Sequence, residues 1–117
     1  MDKKKILLLC TGGTIASTQG KEGLAPGLEG DDILKYIPSV KRICDIKIMQ
    51  VCNIDSTDMT PFYWQMILQL IKKNYDSYDG FVILHGTDTM AYTAAALSYM
   101  IQNSPKPIVL TGSQKPI

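Results

Sequence analysis

The stretch KKILLLCTGGT, residues 4–14, decides the expected fold of this 117-residue chain. Its first part, residues 4–10, is almost entirely apolar beyond two lysines, which is typical of a strand buried on both faces of a parallel sheet. The apolar part is too short for a membrane span or for the hydrophobic region of a signal peptide, and threonine and glycine follow at once. The sequence therefore predicts a buried first strand that ends in a glycine turn.

Beyond this stretch, short apolar runs alternate with longer amphipathic segments. Strands are predicted at residues 46–51, 81–84 and 108–110, and helices at residues 31–37 and 88–102. Between them, the best-supported helix begins with Thr60 as N-cap and Pro61 in its first turn. Its apolar side chains recur at helical spacing and form one stripe: Trp64, Ile67, Leu68, Ile71 and Tyr75. Residues 11–30 are rich in glycine, serine and threonine and predict a long loop.

The alternation of strands and helices predicts an α/β fold. Connections of this length between buried strands favour parallel pairing with helices on the faces, in a three-layer, Rossmann-like or flavodoxin-like arrangement. Residues 1–117 are expected to form one domain. No helix follows the last strand, so one sheet edge would be bare. We therefore expect either that another segment covers this edge or that the chain is the front part of a longer protein.

Composition excludes several classes of function. The chain is 45% hydrophobic with a formal charge of +1, which is too apolar for a disordered protein and not basic enough for a dedicated nucleic-acid binder. Cys10, Cys44 and Cys52 have apolar neighbours and no CxxC spacing, which favours thiols in a reducing compartment. With His85 as its single histidine, the chain shows no zinc-site pattern. These features predict a cytoplasmic protein that binds neither nucleic acid nor membrane.

Polar side chains and glycines follow each of the four predicted strands. They occupy residues 11–15, 53–58, 85–89 and 111–114, and all four segments contain hydroxyl groups or carboxylates. In open parallel sheets, ligands bind beyond the carboxyl ends of the strands. The sequence therefore predicts a small-molecule site at this rim of the sheet.

Two threonines in these segments, Thr14 and Thr87, each offer a hydroxyl that becomes a good nucleophile only beside a base. Asp88 is a candidate base, although a Thr-Asp pair after a strand is also a common helix N-cap. A triad of Ser56, His85 and Asp88 can be drawn, but no G-x-S-x-G motif supports it. A hydrogen-bonded structural histidine at the end of its strand is the simpler interpretation of His85.

The glycine pair Gly12-Gly13 permits a tight turn in which backbone N–H groups approach an anion or an oxyanion. A phosphate loop for a nucleotide is the alternative interpretation. The chain has no third glycine at dinucleotide spacing and no GxxxxGK[ST] motif, so the sequence gives nucleotide binding little support.

Taken together, these segments resemble the bacterial-type L-asparaginases, specifically the cytoplasmic type I group. The resemblance is carried by TGGTIA (11–16), DSTDM (55–59), DGFVI (79–83), HGTDTM (85–90) and TGSQ (111–114). It covers essentially the whole chain, in order. Proteins of that family are longer and have a second, C-terminal domain, so the chain resembles the greater part of their N-terminal domain.

The resemblance implies hydrolysis of the side-chain amide of L-asparagine to L-aspartate and ammonia, without a metal or organic cofactor. It implies that Thr14 is the nucleophile, which forms a covalent acyl intermediate, and that Thr87 and Asp88 belong to a second hydroxyl triad. It also implies a homo-oligomer, a dimer or tetramer. The substrate-binding residues implied in the same way are Gly13, Asp55, Ser56, Thr57 and Ser113.

The sequence departs from the family pattern at two places. The lysine of the triad is expected beyond Ile117, since neither Lys106 nor Lys115 matches its motif, and we expect these 117 residues alone to be nearly inactive. Leu24 stands where many relatives have a tyrosine that supports the nucleophile, so another group is expected to assist Thr14. Two alternatives remain: an amidase subunit of a tRNA-dependent amidotransferase, and a non-catalytic module that binds an amino acid.

Overall fold

The strands of the protein form two sheets, one of them entirely parallel. A computed structural model describes residues 2–12, 17–20, 23–26, 35 and 37–115. The strands, in chain order, are β1 (Lys4–Gly12), β2 (Ser17–Gly20), β3 (Gly23–Pro26), β4 (Cys44–Ile54), β5 (Gly80–Leu84) and β6 (Ile108–Thr111). Four of them form a parallel sheet in the order β4-β1-β5-β6, and β2 pairs antiparallel with β3. The predicted α/β fold with a parallel sheet is confirmed.

Helices connect the strands of the parallel sheet: α1 (Val40–Ile43), α2 (Pro61–Asn74) and α3 (Met90–Met100). The predicted start of α2 is confirmed, with Pro61 in the first turn and Thr60 as N-cap, although the Thr60 hydroxyl makes no capping bond. Helix α3 is shorter than the predicted 88–102. Thr89 has non-helical backbone angles, and its hydroxyl donates to the Ser56 carbonyl at 2.7 Å, so residues 88 and 89 belong to the turn before α3.

Strand β1 lies in the middle of the sheet and is buried on both faces. Leu7 and Leu9 pack on the face covered by α2 and α3, and Leu8 and Cys10 pack on the opposite face. This alternation follows from the period of two in a strand, which points successive side chains to opposite faces. The all-apolar sequence of residues 6–10 is therefore explained by burial on both faces of the sheet, as predicted.

The larger of the two cores lies between the sheet and α2 and α3. Ile67 and Ile71, four residues apart on α2, are fully or almost fully buried there, and Leu97 of α3 joins them. Phe81 of β5 fills the same space, with its ring stacked on Tyr75 at a centroid distance of 5.9 Å. The apolar stripe predicted for α2 thus faces the sheet.

Shortening Ile71 to valine is expected to lower the free energy of unfolding by about 1 kcal/mol, because one buried methylene group is removed and a small cavity remains. Ile43 in α1 is 76% exposed and provides the matched control, since Ile43→Val removes the same group from a solvated position. Denaturant unfolding of both variants measures the difference. Equal losses in the two variants would contradict the assigned core.

Several boundaries differ from those expected. The predicted loop at residues 11–30 was wrong in two respects: β1 continues to Gly12, and the β2–β3 hairpin follows. Polar residues continue β1 because its end pairs with β4, which likewise extends beyond the predicted 46–51. Of the predicted helix 31–37, residues 31–34 and 36 lie outside the described residues, and Lys35 is helical. Helix α1 was not predicted.

The described part of the sheet ends at β6, where Val109 is 49% exposed. This is the edge that the sequence predicted to be bare. Among the residues that the structure describes, no helix is both long and apolar enough to cross a membrane.

Candidate functional site

The carboxyl ends of β1, β4, β5 and β6 lie at one rim, because all four strands are parallel. The chain leaves β1 for β4 on one side of it and then returns to β5 on the other side. Such a change of direction is where open α/β sheets form a binding crevice. Residues 53–58, 85–89 and 111–114 follow β4, β5 and β6, so these three predicted polar segments share the rim.

The end of β1 is tied to both of its neighbours. On one side, the buried Thr11 hydroxyl donates to the Leu84 carbonyl of β5 at 2.7 Å. On the other side, Gly12 has a φ of 108° and lies so close to β4 that an added Cβ would stand 2.5 Å from the Ile54 carbonyl oxygen. Only glycine fits this position, because both the backbone angle and the space exclude a side chain. The backbone at Thr11 and Gly12, from which the predicted glycine turn begins, is therefore held between β4 and β5.

The segment after β4 forms a single 3-10 turn, Ser56–Asp58, that is capped by its own acid. One carboxylate oxygen of Asp55 accepts the Thr57 N–H at 3.0 Å. Ser56 is 3% exposed, whereas Asp55 and Thr57 are exposed. The turn thus presents a carboxylate and a hydroxyl to solvent on either side of a buried serine.

The segments after β4 and β5 meet beyond the end of β1, although β1 separates their strands. An added Cβ on Gly86 would stand 2.7 Å from the Ser56 Cβ and 2.8 Å from its Oγ. The Thr89 hydroxyl also donates to the Ser56 carbonyl at 2.7 Å. Because Gly86 has no side chain, Thr87 and Asp88 are brought beside the Asp55–Thr57 turn. Thr87 is half-buried and Asp88 is exposed.

His85 is fully buried at the end of β5, and both nitrogens of its ring have partners. Nδ1 lies 2.7 Å from the Gly86 carbonyl oxygen and Nε2 lies 2.8 Å from the Thr93 hydroxyl. A carbonyl only accepts, so Nδ1 carries the proton. The indole N–H of Trp64 donates to the Thr93 oxygen at 2.9 Å, and the Thr93 hydroxyl proton is then directed to Nε2. We call Trp64, Thr93 and His85 the buried relay.

These contacts confirm that His85 is a hydrogen-bonded structural residue at the end of its strand. They also show that the alternative triad of Ser56, His85 and Asp88 is wrong, since neither ring nitrogen contacts serine or aspartate. The backbone N–H of His85 donates to the Thr111 carbonyl at 2.9 Å, which ties the relay to the end of β6. After β6, Ser113 is half-buried and its hydroxyl oxygen accepts the Lys115 N–H at 3.0 Å.

Burial lowers the pKa of His85 below its ordinary value of 6.5, and the hydrogen bond to Gly86 opposes this shift only in part. The unfolded chain therefore takes up a proton on this ring at pH values where the folded chain does not. The free energy of unfolding is expected to fall as the pH drops from neutrality through 6.5. Below the pKa of His85 in the folded chain, both states carry the proton, so this residue causes no further loss of stability.

The measurement is the difference in unfolding free energy between the wild type and His85→Gln, taken at a series of pH values in denaturant. Taking this difference cancels the pH dependence that the other titrating groups contribute, since they are the same in both proteins. We expect the difference to shrink as the pH falls, because only the wild type loses stability by protonation of His85. A difference that stays constant with pH would contradict the assignment of a neutral ring.

Cys52 lies beside the end of β1, and its thiol donates to the Thr11 carbonyl at 3.6 Å. Burial raises the pKa of Cys52 to about 11, so the group stays protonated at neutral pH. Since the thiolate is the nucleophilic form, Cys52 is not a candidate nucleophile for this rim. In the described part of the chain, no group of three or more His, Cys, Asp or Glu side chains is placed to hold a metal ion.

The predicted site residues divide into two sets. The structure brings together, at one rim, the segments that hold Asp55, Ser56, Thr57, Thr87, Asp88 and Ser113. Gly13 and Thr14 lie outside the described residues, so their roles stay predictions. The sequence interpretation missed Thr93 as the partner of His85 and Trp64 as the partner of Thr93. A polar Thr93 among the alanines of α3 was the available signal, because a hydroxyl on a buried helix face needs a partner.

Known proteins are similar to this chain in sequence and in fold. A family model described as "Asparaginase, N-terminal" matches residues 5–117. L-asparaginase 1 of Escherichia coli K12 is 48% identical over 100% of this chain and 36% of its own length. A glutamyl-tRNA(Gln) amidotransferase subunit of Methanosphaera stadtmanae is 47% identical over 97% of this chain and 27% of its own length.

The solved structures that this chain resembles include L-asparaginases, as its sequence relatives do. The thermostable L-asparaginase from Thermococcus kodakarensis has a TM-score of 0.83 at 47% identity, over 96% of this chain and 34% of that one. A probable cytoplasmic L-asparaginase from Campylobacter jejuni has a TM-score of 0.85 at 37% identity, over 97% of this chain and 34% of that one. The chain spans about a third of the length of the curated L-asparaginases it matches.

Proposed function

Because the chain belongs to the asparaginase family, we propose that the protein to which it belongs is a cytoplasmic L-asparaginase, which hydrolyses L-asparagine to L-aspartate and ammonia. The observation that carries the proposal is the meeting of two polar segments beyond the end of β1. There Gly86 and Thr89 hold the Thr87 segment against the Ser56 turn. We propose that one small molecule bound at this rim contacts hydroxyls and a carboxylate from the segments after separate strands.

The reaction we propose has two steps with Thr14 as nucleophile. In the first step, the Thr14 hydroxyl loses its proton and its oxygen bonds to the side-chain amide carbon of asparagine, and the C–N bond breaks once that proton has been passed to the nitrogen. Ammonia leaves and an acyl ester remains on Thr14. In the second step, water attacks the ester carbon, the bond to Thr14 breaks as a proton of the water returns to the Thr14 oxygen, and aspartate is released. We propose that backbone N–H groups of the glycine pair Gly12-Gly13 stabilise the oxyanion of both steps.

The proposed roles of Thr87 and Asp88 are to bind and move a proton. Thr87 is half-buried, and its methyl carbon packs close to Gly112 after β6. Asp88 is the adjacent acceptor and can orient a cationic group that takes a proton. The family resemblance implies that this cationic group is a lysine. Neither Lys106 nor Lys115 matches the motif of that lysine.

The segment after β4 suits the two charged groups of a free amino acid. The Asp55 carboxylate has two oxygens, of which one holds the Thr57 N–H and the other can accept the substrate ammonium. Ser56, Thr57 and Ser113 carry the hydroxyls, and the loop backbone the N–H groups, that suit an α-carboxylate. The proposed chemistry needs no cofactor, and the proposed assembly is a homo-oligomer, a dimer or tetramer.

The experiment that tests this function measures ammonia release from L-asparagine and from L-glutamine by the protein expressed from its complete coding sequence. We expect turnover of asparagine, and nearly none by residues 1–117 alone. Isothermal titration with aspartate on the same sample identifies the rival binding module, which would bind the amino acid without turnover. Tight binding with no ammonia release would overturn the proposed function.

A second candidate is an amidase subunit that supplies ammonia to a tRNA-dependent amidotransferase. The observation that favours it is the 47% identity to a glutamyl-tRNA(Gln) amidotransferase subunit over 97% of this chain, which is close to the 48% identity to L-asparaginase 1 of Escherichia coli K12. The two candidates differ in what they require. An L-asparaginase acts on free asparagine alone, whereas the amidase subunit would release ammonia only beside its partner protein and tRNA.

A further inference from the structure

The buried relay acts on the peptide group that precedes Thr87. His85 Nδ1–H donates to the Gly86 carbonyl, and this carbonyl belongs to the peptide that joins Gly86 to Thr87. A peptide group is planar and trans, so its C=O and its N–H point in opposite directions. By holding the carbonyl, the His85 ring directs the Thr87 N–H away from itself.

The ring itself is held from two helices. Thr93 of α3 is fully buried and lies 2.8 Å from Nε2, and Trp64 of α2 donates to the same hydroxyl at 2.9 Å. These contacts fix the direction of the Thr93 proton and, through it, the tautomer of His85. On the other side of the segment, Ser56 packs so close to Gly86 that an added Cβ would stand 2.7 Å from the Ser56 Cβ. The peptide before Thr87 is therefore fixed from both sides.

From this geometry we propose that His85 and Thr93 are positioning residues of the active site, which fix the Gly86–Thr87 peptide and so aim Thr87 at the substrate. The inference rests on the proposed function, since it concerns the role of Thr87 in that reaction. His85 and Thr93 are not proposed to touch the substrate. Their effect is on the geometry of a group that acts, and a small misplacement of such a group lowers kcat more than it changes substrate binding.

Two substitutions at His85 separate the two contacts of its ring. Asparagine places its amide nitrogen where Nδ1 stands and keeps a donor for the Gly86 carbonyl, whereas glutamine reaches the position of Nε2 and keeps the contact with Thr93. We expect His85→Asn to retain kcat within about threefold, and His85→Gln to lose about tenfold or more, with KM changed by less than about twofold in both.

Both variants leave one polar partner without its bond, so both lose stability to a similar extent. A merely structural role predicts that kcat follows the melting temperature. The proposal predicts instead that kcat follows the Gly86 contact. Equal kcat in the two variants, or a lower kcat in His85→Asn, would overturn it.

Thr93 provides the second test. Thr93→Val keeps the shape but removes the hydroxyl that orients the imidazole ring, so the wild-type ring at position 85 loses its fixed contact with the Gly86 carbonyl. We expect kcat to fall about tenfold, whereas Thr93→Ser restores it. Ser98→Ala is the matched control, since it removes a hydroxyl that bonds only the Ala95 carbonyl on the exposed face of the same helix. A Thr93→Val enzyme with wild-type kcat, or no rescue by serine, would contradict the proposal.

Nitrogen NMR of the complete protein separates failure of this inference from failure of the proposed function. The His85 signals, assigned by their loss in His85→Gln, are expected to show the neutral tautomer with the proton on Nδ1, and in Thr93→Val the Nε2 signal is expected to move. This readout does not depend on turnover. A wild type without amidase activity would refute the proposed function, whereas a proton on Nε2 would refute the relay.

Discussion

Thr14→Val is expected to lower kcat for the release of ammonia from L-asparagine by at least about a thousandfold, because no acyl ester can form without the hydroxyl. Thr87→Val is expected to have a loss of similar order, because residues of one catalytic unit are not independent. Valine preserves the shape of each side chain. The loss is therefore expected in kcat, while the melting temperature of both variants stays close to that of the wild type.

Thr60→Val is the matched control for these two variants. The Thr60 side chain is exposed and its hydroxyl makes no capping bond at the start of α2, so this change removes the same group from a place outside the rim. Its kcat is expected to equal that of the wild type. Near-normal turnover in Thr14→Val would exclude the nucleophile assignment, and a loss in Thr60→Val would show that threonine substitutions act through stability.

Gly12→Ala is expected to destabilise the fold by about 4 kcal/mol, the largest effect on stability that we predict. Two costs add at this position. A φ of 108° is unfavourable for any residue with a side chain, and the new Cβ would stand 2.5 Å from the Ile54 carbonyl oxygen and 2.8 Å from its nitrogen. Both contacts are with backbone, so relief requires the β1–β4 pairing to open.

Gly80→Ala is the control for this substitution. Its φ is not positive, and the nearest atoms to the new Cβ are side-chain carbons of Pro107 and Ile6 at 3.1 and 3.3 Å, which can shift. We expect a change within about 1 kcal/mol. Denaturant unfolding of both variants gives the comparison. A Gly12→Ala variant as stable as Gly80→Ala would show that the end of β1 is not held as described.

The parts of the fold that follow from local patterns could be predicted from the sequence. The apolar runs predicted β1 and β5, because a strand buried on both faces of a sheet must be apolar. An apolar run also predicted β6, although this edge strand is only partly buried. The pair Thr60-Pro61 gave the start of α2. The β2–β3 hairpin has no alternating apolar pattern in STQG and GLAP, so nothing in its composition distinguishes it from a loop.

The rim of the site was predictable from topology, since polar residues after parallel strands must lie at the same end. The contacts within it were not. Trp64 fitted the apolar stripe of α2, and its indole N–H bond to Thr93 joins residues 29 positions apart. The close packing of Gly86 on Ser56 likewise joins segments that are distant in sequence. Spacing along the chain carries no information on such pairs.

The central place of β1 has a consequence for the order in which the protein is made. Ile6 pairs with Ile46 on one side and with Gly80 on the other. A chain growing on the ribosome therefore holds this apolar strand without either neighbour until β4 and then β5 have been synthesised. Folding with such distant partners is slow, and the waiting strand is prone to aggregate. This protein is thus expected to rely on a chaperone during its synthesis more than a protein whose first strand closes a local hairpin.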